Sequence, residues 1–259
     1  NARSGLRIGH SNTQDSLFTD GLEDAETGGS MGSFAQETAD KHQLSRVEMD
    51  EYAIESVKRS QTAIKNCSLE TEIVAMEVKG EKIVDDEQPG KAKLDKIPTL
   101  RPAFKAGGTI TAANSSSISD GASALLLTSK KVEGSDEYLA KVAGHATNSI
   151  HPSEFTLAPI GAITSLLDKL DWPIESVDLF EINEAFAMVA MLTIKELGLD
   201  SDKVNIFGGA CAQGHPIGST GSRLIVTLAH AIKNSGLKRG VAALCIGGGE
   251  ATAVALEQA

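Results

Sequence analysis

The feature that most restricts the fold is a regular alternation that begins near residue 139. Short apolar runs of strand character there give way repeatedly to longer stretches whose apolar residues recur at helical spacing. Residues 138–146 read as a strand and 158–170 as a helix. Residues 176–182 alternate in the manner of a strand, and 184–197 form a helix stopped by Gly198. The next strand is 203–207, and the next helix is 219–233, with Leu224, Ile225, Leu228 and Ile232 on one face and a stop near Gly236. Residues 241–246 and 252–256 are two strands around a glycine turn. The order βαβαβαββ predicts an α/β unit, a mixed sheet with helices packed on it, because each element has one apolar side to bury.

The first hundred residues read differently. Gly28-Gly29 precedes a helix over 33–42, and Ser45 and Glu48 are spaced as a capping box. That box opens a long amphipathic helix reaching Asn66, with Met49, Tyr52, Ala53 and Val57 near one face. Residues 73–78 and 81–84 read as short strands, and 85–98 as a polar loop. The expected organisation is a helix-and-loop cap domain over 1–108 and a complete sheet domain over 138–259. Between them, 109–113 and 121–128 read as a hairpin resembling the one at the C-terminus. The later hairpin is preceded by a full βαβαβα run and the earlier one only by the cap. Residues 109–137 are therefore expected to be the remnant of a first, similar domain, and the chain the C-terminal portion of a longer protein.

A net charge of −11 argues against general nucleic-acid binding, and no apolar run reaches the length of a membrane span. The start of the sequence has no signal-peptide pattern. Cys67, Cys211 and Cys245 form no CxxC pair, so neither a disulfide framework nor a zinc site is expected. These observations point to a cytoplasmic protein. Against the acidic average, Lys91, Lys93, Lys96, Arg101 and Lys105 face only Asp95 within 91–105. This is either a solvated loop or a landing strip for a phosphorylated ligand.

Three short motifs fall where a strand hands over to a turn. Asn183 opens Asn-Glu-Ala-Phe-Ala, His215 lies in Gly-His-Pro-Ile-Gly over 214–218, and Cys245 precedes Gly247-Gly248-Gly249 after one residue. An asparagine at a strand–helix junction most often caps the helix, but its amide can also hold a water or polarise an oxygen at this sheet edge. A histidine between glycines, ahead of a helix N-terminus, suits proton transfer and oxyanion donation. A strand-end cysteine is usually an inert core residue. One followed by bare glycine amides can exchange a proton with carbon beside an oxyanion hole. The glycine spacing at 214–221 does not match a dinucleotide fingerprint.

With these motifs, the Arg-Ser-Gly-Leu-Arg run at 3–7, Met31-Gly32, and the stretches 96–104 and 111–121, the chain resembles the thiolase family, which joins or splits acyl-CoA thioesters. The related ketoacyl synthases share a histidine motif of this kind but lack the other two. The resemblance implies a thiolase-like fold and a reversible Claisen condensation of two acetyl-CoA to acetoacetyl-CoA. The other readings are a longer-chain 3-ketoacyl-CoA thiolase and a non-catalytic chain that binds CoA. The implied mechanism needs a cysteine nucleophile from the first half of the family fold, which this sequence does not carry. His215, with a water held by Asn183, would activate that cysteine and form one oxyanion hole. Cys245 would move the α-proton, and the Gly247 amide would serve the second oxyanion hole. Met31, Leu100, Ala103, Phe104, Ala112, Ser116, Ile118, Phe155, Ala185 and Phe186 would line the pantetheine channel or acyl pocket. The resemblance further implies no cofactor beyond the CoA thioester substrates, a role in fatty acid metabolism, and a homodimer or homotetramer. As written, the chain would be inactive without the missing half or another thiolase subunit. Ser30 stands where the family often has histidine, and Asn114-Ser115-Ser116-Ser117 replaces its usual Asn-Ala-Ser-Gly. Both departures bear on acyl-chain preference.

Overall fold

The computed structural model describes residue 10, residues 12–129 and residues 138–259. The family-like run at 3–7 lies outside them. Helix α1 (Met31–Lys41) is capped by Ser30, whose hydroxyl accepts from the Ser33 amide at 3.1 Å. Helix α2 (Arg46–Lys65) starts at the reciprocal box expected from sequence: Ser45 Oγ accepts from the Glu48 amide at 3.2 Å, and Glu48 accepts from the Ser45 amide at 2.9 Å. The buried side of α2 is half polar: Asp50, Ser56 and Ser60 sit among Met49, Ala53, Val57 and Ala63. Buried polar groups need partners: Asp50 pairs with Arg46 and accepts from Asn114 Nδ2, while Ser56 and Ser60 donate to Glu184 and to Phe207 O of the sheet domain. Strands β1 (Met76–Val78) and β2 (Glu81–Ile83) form a small, mostly exposed antiparallel hairpin, followed by the short helix α3 (Glu87–Lys91).

The strands expected at 109–113 and 121–128 do not form. In the first, side chains capture the amides a ladder would use. Gln36 Oε1 accepts from the amides of Thr109 and Ile110 at 3.0 and 3.1 Å, and Asn114 Oδ1 accepts from that of Thr111 at 2.7 Å. The second segment has no strand paired beside it among the described residues, and Leu126 stays 95% and Leu127 72% exposed. Three of the five basic residues in 91–105 carry acidic neighbours: Lys91 with Glu87, Lys96 with Asp95, and Lys105 with Asp40. A uniform positive strip is therefore absent from that stretch.

The C-terminal unit contains β3 (Ala140–Ser149), α4 (Ala158–Leu170), β4 (Leu179–Ile182), α5 (Ala187–Leu197), the single turn α6 (Ala210–Gln213), α7 (Thr220–Ser235), β5 (Arg239–Ile246) and β6 (Glu250–Gln258). The sheet order is β3-β6-β5-β4, with β4 parallel to β5 and the other pairs antiparallel. The expected strand at 203–207 shrinks to one parallel bridge, Val204 to Phe180. Asn205 then turns into left-handed backbone at φ 48°. Its side chain takes over the pairing: Oδ1 accepts from Ile182 N–H and Nδ2 donates to Ile182 O, both at 2.8 Å. The neighbour of β5 is therefore β4, and 203–207 adds no strand to the sheet.

Strand alternation sorts the core into two layers. Val241, Ala243 and Cys245 join the larger cluster, with Ile163, Leu166, Met188, Leu192, Phe155 and Met31. Ala242 joins the smaller one, with Leu224, Leu228 and Ile232 of α7. Each large side chain so buried stabilises the fold by about 1.5–3 kcal/mol. Among the described residues no helix is long and apolar enough to cross a membrane, and no cluster of three metal-ligating side chains occurs.

Candidate active site

Because β4 and β5 are parallel with Ile182 opposite Ala243, their C-terminal ends open on one edge of the sheet. Open α/β sheets collect ligands at that edge. Asn183 follows β4 directly, its amide donating to Ala243 O at 2.9 Å, and it is only 1% exposed. Its Nδ2 lies 3.4 Å from His215 Nε2, while its buried Oδ1 has no hydrogen-bond partner among the described residues. His215 arrives from α6 through Gly214, at φ 84°, where a Cβ would come within 2.1 Å of Ser119 Oγ. Only glycine fits both the backbone conformation and the space.

The tautomer of His215 follows from its neighbours. Nδ1 lies 2.6 Å from Thr220 Oγ1, whose single hydroxyl proton goes to Pro216 O at 2.9 Å. With that proton directed to Pro216 O, Thr220 accepts, Nδ1 carries the ring proton, and the Nε2 lone pair faces the Asn183 amide. Burial, with a further contribution from the Arg223 charge, lowers the His215 pKa to about 4. The ring is neutral at pH 7 and presents a proton acceptor.

Cys245 reaches the same edge on the adjacent strand, opposite Ala251 of β6. It is buried in the cluster that contains Met31, Phe155 and Phe186, and desolvation pushes its thiol up to about 12. Among the described residues no hydrogen bond joins it to His215 or Asn183. The turn behind it uses left-handed backbone at Gly248 and Gly249, and a Cβ on Gly247 would touch Met31 Sδ at 3.3 Å.

The expected pocket residues divide into two groups. Phe104, Phe186 and Phe155 form an edge-to-face chain with centroid spacings of 6.1 and 6.5 Å, and Met31 shares a core cluster with Phe155 and Phe186. Ser116 grips Ala185 O through both its amide and its hydroxyl, each at 3.0 Å. Ala103 and Leu100 are tied through their backbones, to Ile110 and to Arg46 respectively. Ala112 and Ile118 are exposed, although Ile118 bridges the backbone of His215. An open cleft of about 370 Å³ lies beside the histidine, lined by residues 119–123 and 216–219.

The sequence reading missed four residues that build this edge: Glu184, Asn205, Thr220 and Arg223. Glu184 carried a usable signal, since it is an acid inside an otherwise apolar run. It is 1% exposed and accepts from Tyr52 Oη, Ser56 Oγ, Asn205 Nδ2 and the Cys211 amide at 2.7–3.1 Å. Burial raises Glu181 to about 8 and Glu72 to about 7.

Comparison with known proteins matches both halves of the chain. The family models described as "Thiolase, N-terminal domain" and "Thiolase, C-terminal domain" match residues 1–131 and 136–258. A "Probable acetyl-CoA acetyltransferase" from Dictyostelium discoideum is 43% identical over 263 residues, covering 99% of this chain and 64% of that protein. The chain thus spans less than two thirds of that relative's length. A thiolase from Ascaris suum, crystallised with coenzyme A, superposes at a TM-score of 0.87 with 37% identity, over 99% of this chain and 67% of the other. The human mitochondrial 3-ketoacyl-CoA thiolase, also with CoA, gives a TM-score of 0.88 and 34% identity over 100% and 67%.

Proposed function

The chain belongs to the thiolase family, and on that footing we propose that it carries the proton-handling half of an acetyl-CoA C-acetyltransferase site. The observation that carries this reading is the Asn183–His215 contact at the end of β4, one strand away from Cys245. His215, neutral with a free Nε2 lone pair, takes the proton of an acyl-accepting thiol as that thiol attacks the thioester carbonyl. The resulting Nε2–H then donates to the oxyanion and finally protonates the departing CoA sulfur. The unpartnered Oδ1 and the amide of Asn183 are suited to hold a water in that oxyanion hole. Cys245 passes its proton through a site water to the now neutral His215 and, as the thiolate, removes the α-proton of a second acetyl-CoA. The carbanion displaces the enzyme thiolate from the acyl group to give acetoacetyl-CoA, and His215 returns a proton to that thiolate. Gly247 supplies an amide to the second oxyanion.

None of the three cysteines of the sequence hydrogen-bonds to His215 among the described residues, so we take the acyl-accepting thiol to come from another segment or subunit. We take the close-packed Phe104–Phe186–Phe155 chain, in one cluster with Met31, as the wall of an acyl pocket that favours acetyl over longer groups. The likeness to the human mitochondrial 3-ketoacyl-CoA thiolase keeps the longer-chain reading as the alternative.

The test is thiolysis of acetoacetyl-CoA and of 3-ketooctanoyl-CoA by protein whose mass matches these 259 residues, alone and with a complementing thiolase segment. We expect CoA binding but no turnover by the chain alone, and turnover favouring acetoacetyl-CoA with the complement. Full turnover by the chain alone would reject the shared-site reading, and a preference for the longer substrate would reject the short-chain one.

A further inference from the structure

We propose that Glu184 is the positioning residue of this site, setting the Asn183–His215 contact by tying both of their loops to the cap helix α2. Its carboxylate is a four-way junction. Oε1 accepts from Tyr52 Oη at 3.0 Å and Asn205 Nδ2 at 2.8 Å, and Oε2 from Ser56 Oγ at 2.7 Å and the Cys211 amide at 3.1 Å. Tyr52 and Ser56 belong to α2. Asn205 clamps the backbone of Ile182, the residue before Asn183. Cys211 lies in the single turn α6, which ends at Gly214 and delivers His215. Asn183 is therefore fixed from both chain neighbours, and the histidine loop hangs from the same carboxylate. Ser56 closes the arrangement by accepting from the Gly209 amide at 2.9 Å while donating to Glu184.

The junction requires a carboxylate rather than an amide of equal size. Two of its donors cannot reverse. The Cys211 amide is backbone, and the Asn205 amide is oriented by its two bonds to Ile182. A glutamine places its NH₂ on either the Oε1 or the Oε2 side, so one fixed N–H donor meets another donor. The Asn205 clamp or the α6 loop must then release, which opens the contact between Asn183 and His215.

The effect on turnover rests on the acyl-transfer reading above, whereas the effect on the histidine does not. The test compares wild type, Glu184→Gln and a core control in helix α4 that makes no hydrogen bond to the junction, Ile163→Val. It follows the His215 ring nitrogens across pH by long-range proton–nitrogen NMR, with Tm measured in parallel. Wild type should hold the Nδ1–H form to well below the ordinary histidine range. Glu184→Gln should move that titration up by at least one pH unit, while Ile163→Val lowers Tm and leaves it in place. Should Glu184→Gln not fold, Tyr52→Phe and Ser56→Ala each remove one donor and should give smaller shifts in the same direction. If Glu184→Gln, or both substitute variants, lose stability with an unchanged His215 titration, Glu184 is structural only and the proposal fails. In the complemented enzyme, Glu184→Gln should lower kcat at least tenfold with KM for acetoacetyl-CoA within twofold. A moved titration in a protein that never turns over acyl-CoA would uphold the positioning role and remove the acyl-transfer reading.

Discussion

His215 and Cys245 arrive at one sheet edge by opposite means. The histidine is held by polar anchors: Thr220 on Nδ1, Asn183 near Nε2, Ser117 on its backbone, and the Glu184 junction behind its loop. The cysteine is held by packing, in a core cluster with Met31, Phe155 and Phe186 and no hydrogen bond to the other two groups among the described residues. The same desolvation moves their pKa values apart, to about 4 for the imidazole and about 12 for the thiol. Burial penalises whichever form is charged, so both groups are neutral at pH 7. The pair thus stands ready to pass protons without carrying charge. An ionised form has to be stabilised by the bound thioester and its oxyanion donors.

The sharpest way to break this comparison is Cys245→Ala. In complemented enzyme, condensation should fall on the order of 10²–10⁴-fold, the usual worth of a general acid–base group. Acyl-enzyme formation, read by CoA release and intact mass, should persist because it uses the histidine half. Loss of both steps would mean the two halves do not act separately.

The polar half can be disturbed without touching any reacting group. A Cβ on Gly209 would lie 2.3–2.6 Å from the carboxyl of Glu184, a buried side chain locked by four donors. Gly209→Ala should cost about 1–3 kcal/mol of stability, as overpacking does in a site that cannot relax. Urea unfolding checks this. It should also raise the His215 titration, because the strain falls on the junction itself.

The smallest effect is the pH dependence of stability. The His215 pKa is lowered from 6.5 to about 4 in the fold, so between those values the unfolded chain binds the extra proton. Its contribution is therefore present above pH 6.5 and lost as pH falls through 4. For Cys245, raised from 9.0 to about 12, the contribution is present below pH 9 and lost as pH rises through 12. Glu72 and Glu181, raised to about 7 and 8, add a loss on the way up to those values. Tm curves of wild type and His215→Gln should accordingly converge as pH falls from 6.5 to 4. Parallel curves over that window would contradict a buried neutral imidazole.

Much of the fold was legible because its elements signal locally. The Ser45–Glu48 box starts α2 where expected, and Gly198 and Gly236 end α5 and α7 in left-handed backbone. Two of the failures share one cause. At 109–113 and 203–207 the residues have strand character, but side-chain amides of Gln36, Asn114 and Asn205 occupy the backbone groups that a ladder would use. Strand propensity describes a fit to a half-buried pleated surface, and whether that surface is supplied depends on residues far away in sequence.

The sequence alone indicated most of the elements of the C-terminal unit and singled out Asn183, His215 and Cys245 as candidates. Each of those follows from local spacing, capping or motif. Tertiary structure decided which strands are neighbours, which nitrogen of His215 carries its proton, and that the buried carboxylate of Glu184 joins the cap to both histidine-side loops. Those facts depend on donors and acceptors up to 153 residues apart, as between Gly209 and Ser56. Burial forces such distant groups to satisfy one another, and no local pattern in the chain encodes that requirement.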